Sequence, residues 1–244
     1  MEQLEGRNPV LEALQAGLSI QRVMVAKGTQ GAAINRIVEL CKRQNVTLQW
    51  VERSQLDRQS QTGRHQGVIA QLAAFSYAGL DTVLKRAADA QEDLLVVVLD
   101  GIEDPQNLGS VIRSAEAAGA HGIIIPRHRA AGLTAAVARA SAGAVAHLPV
   151  VQVTNLVRCV KTLQEEGAWV VGADAGAPQT LYQANLTGPL VVVLGSEGKG
   201  ISRLLRERCD FLVSIPMLGK VGSLNVSVSA GIMLYEIIRQ RLAE

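Results

Sequence analysis

Aromatic side chains are scarce in this chain: two Phe, three Tyr and two Trp make up 3% of 244 residues. A core built with so few rings has to be aliphatic, and hydrophobic residues at 48% supply it. That balance suits helices alternating with Val/Ile strands better than an aromatic-rich sandwich, and it leaves few rings for stacking on nucleobases. Cysteine is scarce too. Cys41, Cys159 and Cys209 are odd in number, far apart and free of any Cys-x-x-Cys pair, which argues against a disulfide framework and against a zinc site. No apolar run approaches membrane-spanning length, and Met1-Glu-Gln-Leu-Glu5 has neither a basic nor an apolar leader region. The expectation is a soluble, cytoplasmic protein without metal or membrane attachment. Internal repeats and low-complexity segments are also missing.

Strong charge of either sign is lacking as well, since the formal balance is only +2. Its distribution is uneven. Residues 1–76 carry nine basic and six acidic side chains, 77–91 balance, and 92–244 carry 13 basic against 14 acidic. A mild excess at the front permits nucleic-acid contact without demanding it, because phosphate binding needs a local patch more than a high total.

What is present alternates. Asn8, Pro9 and Gly17 bracket a short first helix, with Asn8 as its cap. A strand over 22–26, a helix over 31–43, a strand over 47–51, a small helix capped by Ser54 and a polar loop running into a strand over 62–73 complete one α/β unit. The pattern weakens over 75–93, where a short charged helical stretch precedes Leu94-Leu-Val-Val-Val-Leu-Asp100. The boundary therefore falls there, giving an N-terminal unit over 1–76, a linker over 77–91 and a C-terminal unit over 92–244. The second unit repeats strand and helix: strands over 94–99, 122–125, 149–153, 168–173, 190–194 and 211–215, with helices over 107–118, 134–142 and 226–239 and one capped by Thr154. Such alternation predicts a mostly parallel sheet covered on both faces.

Ligands in open α/β sheets sit beyond the carboxyl ends of strands, so the loops there carry the chemistry. The uncharged strand over 190–194 empties into Gly-Ser-Glu-Gly-Lys-Gly (195–200), with one carboxylate, Glu197. The strand over 211–215 leads through a glycine-bearing loop to Ser223 and Asn225, and the two loops meet if these strands are parallel neighbours. In Asp100-Gly-Ile-Glu-Asp-Pro-Gln-Asn-Leu-Gly-Ser-Val-Ile-Arg113, Asn107 is placed as the helix cap and Arg113 lies behind it, an anion-friendly arrangement. Nucleotide loops fit poorly: Ile201 and Ser202 follow Gly200 where a P-loop needs Lys-Ser/Thr, and the glycines run GxxGxG rather than GxGxxG. Ser196 or Ser223 as a nucleophile lacks a base, since His65, His121, His128 and His147 fall in no triad motif. Arg127-His-Arg129, and Arg203, Arg206 and Arg208 on one helix, are of a kind that tracks phosphates, although solvated faces explain each of them singly.

Together the three stretches are distinctive. Asn-Leu-Gly-x-x-x-Arg (107–113), Leu-Gly-Ser-Glu-Gly-x-Gly (194–200) and Ile-Pro-Met-x-Gly-x-Val-x-Ser-Leu-Asn-Val-Ser-Val (215–228) resemble, in order, the signature motifs of the SpoU (TrmH) branch of the SPOUT RNA methyltransferases. Gly-Arg-Asn-Pro-Val-Leu-Glu-Ala-Leu (6–14) and His-Gln-Gly-Val-Ile-Ala (65–70) resemble the N-terminal substrate-binding domain of the bacterial 23S rRNA guanosine-2′-O-methyltransferases. The resemblance implies a C-terminal α/β domain with a deep trefoil knot, a ribosomal-protein-like RNA-binding module before it, S-adenosylmethionine as methyl donor, and a homodimer that shares its active sites. Base rates for chain threading give no ground for expecting the knot from the strand pattern itself. By match of motif, Asn107, Arg113, Glu197, Ser223 and Asn225 form the polar active-site set, and backbone around Gly195, Ile215 and Leu224 holds the cofactor. Arg113, always protonated, fits a phosphate clamp better than a base; Glu197 either orients Arg113 or Asn107 or takes the proton. The implied activity is ribose 2′-O-methylation of a guanosine in 23S rRNA. A tRNA 2′-O-methyltransferase and a catalytically silent RNA-binding or ribosome-assembly protein of the same fold are the alternatives.

Overall fold

In a computed structural model that describes residues 3–72 and 76–243, the first seventy residues build a mixed four-stranded sheet. Its elements are β1 (Gln3–Glu5), α1 (Arg7–Gln15), β2 (Ile20–Ala26), α2 (Ala32–Arg43), β3 (Thr47–Val51), α3 (Arg53–Gln59) and β4 (Val68–Leu72). The order across the sheet is β1-β4-β2-β3, with β4 antiparallel to both neighbours and β2 parallel to β3. Val10, Leu14, Ile34, Ile37 and Leu40 from α1 and α2 pack on Val23 and Val25, while Leu56 of α3 meets Met24 and Ile69 on the opposite face. Residues 73–75, where the last strand was expected to end, lie outside the described residues.

Two caps differ from the sequence reading. The α1 helix starts two residues earlier than Asn8 implies, after Gly6, whose φ of 99° suits glycine and whose N–H donates to Val68 O. Pro9 then sits third in the helix, still within the turn whose N–H groups need no intrahelical partner. Gly17 does follow the end, at φ 68°. Glu52, not Ser54, precedes α3, and no side chain caps it. The strand β1 was not expected, since three residues are too few to carry a period.

The remaining chain builds a six-stranded sheet: α4 (Leu80–Ala90), β5 (Leu95–Asp100), α5 (Pro105–Ala117), β6 (Gly122–Pro126), α6 (Ala135–Ala140), β7 (Val150–Val153), α7 (Leu156–Glu165), β8 (Trp169–Ala173), β9 (Leu190–Gly195), α8 (Arg203–Arg206), β10 (Phe211–Val213) and α9 (Val226–Arg241). All its pairings are parallel and the order is β10-β8-β9-β5-β6-β7. The strands over 190–195 and 211–213 are thus not neighbours, because β8 pairs with both and separates them. Their loops still share one edge, since every strand of a parallel sheet ends on the same side. Alternation along β5 and β9 divides the core: Val97, Leu99, Val192 and Leu194 face α5 and α9, and Val96, Val98, Val191 and Val193 face α4 and α7. The stretch read as a linker holds α4, with Val83 and Ala87 buried on that second face.

Side-chain caps set two boundaries in the larger unit. Asn155 rather than Thr154 caps α7, its Oδ1 accepting from Arg158 N at 3.0 Å, and Thr134 caps α6 as its position suggests. Where α5 crosses α6, a Cβ on Gly109 would lie 2.4 Å from the Ala140 Cβ, so only glycine allows this approach. Ala135 and Ala138 of α6 join the apolar cluster of the N-terminal unit, which ties the two sheets together.

The loop after α3 is held by one carboxylate. Burial pushes the Glu5 carboxyl up, but hydrogen bonds from Ser60, Thr62, Gln61 and Gln3 outweigh it and bring the pKa down to about 2. A depressed carboxyl contributes stability that is complete above its unfolded value and is lost as pH falls through the folded one. Denaturant unfolding of the wild type should therefore weaken between the ordinary carboxyl pKa of 4.5 and about 2, and Glu5→Gln should flatten that slope. Equal slopes in the two proteins would show that the charge does not hold the loop.

Candidate active site

Three loops at the carboxyl edge supply the polar groups. After β5 the chain enters α5 through Asp104, whose carboxylate accepts from Gln106 N at 3.1 Å and Asn107 N at 3.3 Å, with Pro105 at the first helical position. Asn107 is therefore not the cap that the sequence reading made it. Proline's fixed φ starts the helix two residues earlier, and this releases the Asn107 side chain for other work. After β9 the chain doubles back so tightly that a Cβ on Gly195 would lie 2.0 Å from the Gly200 carbonyl carbon. Gly200 N donates to Ser196 O at 2.8 Å, and Ser202 N donates to Asp100 Oδ2 at 2.8 Å, pinning this turn to the end of β5.

Asn225 joins the loops. As the cap of α9 its Oδ1 accepts from Ser227 N at 2.9 Å and Ser227 Oγ at 2.6 Å. A backbone N–H can only donate, so this end must be the oxygen, and the amide orientation follows. The Nδ2 end donates to Glu197 Oε1 at 2.7 Å and Asn107 Oδ1 at 2.9 Å. By the same logic Asn107 accepts through its oxygen, and neither its NH2 nor the second oxygen of Glu197 makes a hydrogen bond among the described residues. Glu197 thus has Asn225 as its partner, with a longer contact from Val226 N at 3.4 Å, and orients neither Arg113 nor Asn107.

The other two polar candidates stand apart from this trio. Arg113 is exposed on α5 and makes no hydrogen bond or ion pair among the described residues. Ser223 is exposed on the loop before α9 and is likewise unbonded. Gly195, Ile215 and Leu224 line one open cavity of about 580 Å³, and Glu197 and Ser223 line it too. Leu194, Ile215 and Leu224 offer apolar wall, and Gly195, Gly198 and Gly200 leave peptide groups of the 195–200 turn open to a close approach. A flat apolar ligand with polar ends fits that combination.

Asp174, at the carboxyl end of β8, also lines the cavity and was missed in the sequence. The Gly176 N–H, and the Arg206 guanidinium at 2.6 Å against opposing burial, hold its carboxyl below the usual range. Its place directly after a strand was the available signal. This pairing also corrects the basic-helix reading: Arg206 is paired with Asp174, Arg203 lies 3.8 Å from Glu207, and Arg208 falls beyond the end of α8. Among the described residues no group of His, Cys, Asp and Glu is placed to hold a metal ion, and no helix is long and apolar enough to cross a membrane.

Comparison with known proteins places this arrangement among relatives. Residues 94–235 match the SpoU rRNA Methylase family, and residues 3–78 match a domain described as RNA 2′-O ribose methyltransferase substrate binding. The chain is 48% identical over 236 residues to a Bacillus subtilis (strain 168) protein, YacO, assigned to the TrmH family tRNA/rRNA methyltransferases, covering 97% of this chain and 94% of that one. The SpoU methyltransferase AviRb from Streptomyces viridochromogenes, solved in complex with AdoMet, superposes with a TM-score of 0.74 at 27% identity over 99% of this chain and 91% of that one. An AdoMet-bound rRNA methyltransferase from Sinorhizobium meliloti gives 0.69 at 26% identity, over 97% and 86%.

Asn225 is the residue whose loss the geometry makes most costly to the site. Asn225→Ala removes a cap and a bridge and should destabilise by about 1–2 kcal/mol in thermal or denaturant unfolding. Asn225→Asp keeps the cap acceptor but sets a carboxylate against Glu197. Like charges raise the carboxyl pKa of the folded pair, so the variant should be more stable at pH 5 than at pH 8 relative to wild type. A pH-independent difference would mean that Glu197 and residue 225 do not meet in solution.

Proposed function

Because the chain belongs to the SpoU rRNA methylase family, we propose that it transfers a methyl group from S-adenosylmethionine to the ribose 2′-hydroxyl of a guanosine in 23S rRNA. The observation that carries the reading is the Asn107–Asn225–Glu197 cluster beside a cavity with apolar walls and a glycine-rich turn. The likeness to the Sinorhizobium meliloti rRNA methyltransferase extends over 97% of this chain, which favours rRNA over tRNA. Residues 1–76 then hold the RNA and 92–244 carry the chemistry, joined through 77–91. The trefoil knot belongs to the same proposal and rests on membership of the family.

The cavity suits the donor. Backbone around Gly195, Ile215 and Leu224 holds it, and when bound it supplies an electrophilic methyl group on a sulfonium. The chain's own residues do the rest. A ribose hydroxyl is a weak nucleophile, so the rate comes from alignment and from stabilising charge on its oxygen. Glu197, anchored through one oxygen by Asn225, presents the other to the hydroxyl and takes its proton. The NH2 of Asn107 donates to the sugar. Arg113, charged and unpaired, clamps the adjacent phosphate in a bidentate contact and steadies the developing negative oxygen. Ser223 on the covering loop supplies a further hydroxyl to the bound RNA.

The active form is a homodimer. Val228 and Tyr235 on α9 and Leu242 just past its end recur every seven residues and are 49%, 55% and 83% exposed, an apolar stripe on the side facing away from the core. The same helix carries Asn225, so a partner seated there comes close to the site. The substrate places the enzyme in the cytoplasm.

Methyl transfer from labelled S-adenosylmethionine to unmodified 23S rRNA, with tRNA and small-subunit rRNA alongside, tests the reading. One alkali-resistant guanosine in 23S rRNA is expected; label confined to tRNA would replace the substrate, and failure to bind the donor would leave a silent RNA-binding protein. Arg113→Lys should lower kcat/KM by about 100-fold, since an ammonium cannot reproduce the bidentate contact, and turnover close to wild type would remove the clamp. Tyr235→Glu should turn a dimer into a monomer in light scattering, and a wild-type monomer would dispose of the shared site.

A further inference from the structure

One of the chain's two tryptophans stands in the open on the N-terminal unit. Trp50 lies on β3, the edge strand, in register with Val25, so its ring falls on the sheet face that α2 covers. Because β3 has no outer neighbour, the indole projects past the helix and is 47% exposed. It forms one side of an open groove of about 620 Å³ whose other wall is α2, with Ile34 and Val38 at the base. Water is a poor partner for so large an apolar surface, and in an aromatic-poor chain the placement is costly without an occupant.

The rest of the lining says what that occupant is. The side-chain amides of Asn35 and Gln30 line the groove without any hydrogen bond among the described residues. Lys42 at its rim has no carboxylate partner among the described residues, while Glu39, the acidic group beside it, is paired with Arg36 at 2.6 Å. An aromatic face, free amides and an uncompensated ammonium are the three things that a nucleotide uses: a π-face to stack on, donors and acceptors for the base edge, and a cation for the phosphate. A base inside a duplex has both faces and its pairing edge occupied, so the nucleotide must be unpaired.

We propose that the groove between α2 and β3 binds an unpaired nucleotide of the substrate RNA, with its base stacked on Trp50, its edge on Asn35 and Gln30, and its phosphate on Lys42. This rests on the reading of the substrate as RNA. It assigns the N-terminal unit a base-reading contact away from the methyl-transfer site, one that selects RNA with a single-stranded segment at a fixed distance from the target ribose.

Trp169→Phe in the full-length protein leaves Trp50 as the only indole, and its fluorescence can be followed as a mixed-sequence single-stranded RNA dodecamer is added. Saturable quenching is expected, with the same dodecamer in a duplex binding more weakly. In the otherwise wild-type chain Trp50→Phe should hold the dodecamer within about threefold, and Trp50→Ala should bind it roughly 5- to 150-fold less tightly, the range that loss of one stacked base implies. Donor binding and the thermal midpoint should be unchanged in both. Lys42→Ala should weaken binding and reduce its salt dependence by about one phosphate contact. Absence of quenching, equal affinity of Trp50→Ala and wild type, or a preference for the duplex would overturn the groove. Methyl transfer with an indifferent Trp50→Ala sinks this inference and leaves the activity standing; quenching in a wild type that methylates no RNA sustains the groove and sinks the activity.

Discussion

The amide of Asn225 is the joint on which the site depends. Its oxygen is committed to the first turn of α9, and that commitment turns its nitrogen toward Glu197 and Asn107. Three loops, the outer two 118 residues apart in the chain, are thereby fixed by one side chain with no rotational choice left to it. A serine or aspartate would cap the helix as well, but neither could donate two hydrogen bonds on the other side. The requirement for an asparagine comes from doing both jobs at once. The parallel sheet supplies the precondition, because only strands that all end on one edge bring the loops after β5, β9 and β10 within reach of one amide.

This explains which parts of the molecule could be read from the sequence. Strands such as Val191–Val193 and Val96–Val98 are buried on both faces, so their apolar runs announce them, and the helices between them carry their own period. The start of α9 was visible for a local reason, the apolar period that begins directly after Asn225. The role of Asn107 was not. As a side chain it suits a helix cap, and only the proline two residues before it shows that the cap had passed to Asp104. Strand order is a long-range property, and nothing local in Phe211–Val213 says that β8 stands between it and β9. β1 escaped for the opposite reason, being too short to have a pattern, although Glu5 within it organises a loop more than fifty residues away.

The motifs named the polar residues of the site without their connections. Asn107, Glu197 and Asn225 could be listed as a set from their surroundings in the chain, whereas the partner of Glu197 could be found only in space. Asp174 and Arg206 were hidden differently. Arg206 looked like one of several surface cations, and its pairing with a carboxylate at the cavity removes it from any count of charges free to meet phosphate. Charge counted along a sequence overstates what is available, because pairing is decided by the fold. Trp50 was passed over by a similar averaging: a low aromatic fraction argued against base stacking, but one exposed ring in a groove matters more than the fraction.

The same consideration gives meaning to what the site leaves unpaired. Glu197 and Arg113 were natural partners on paper, and an ion pair between them would have made a self-contained site. A ligand phosphate would then have to break that pair and leave the carboxylate uncompensated, a loss that offsets much of what the new contact gains. With Asn225 occupying one oxygen of Glu197, a neutral group steadies the carboxylate and the guanidinium has no partner among the described residues. An exposed arginine keeps its hydration and stores little energy by waiting. What it retains is a full set of donors that only an incoming anion can use. The polar set is therefore complete within itself where it must be rigid, at Asn225, and incomplete at Arg113, the NH2 of Asn107 and the second oxygen of Glu197. Those open positions are a donor, a cation and an acceptor, the complement of a ribose hydroxyl beside a phosphate, which is the group that the proposed methyl transfer would bring to them.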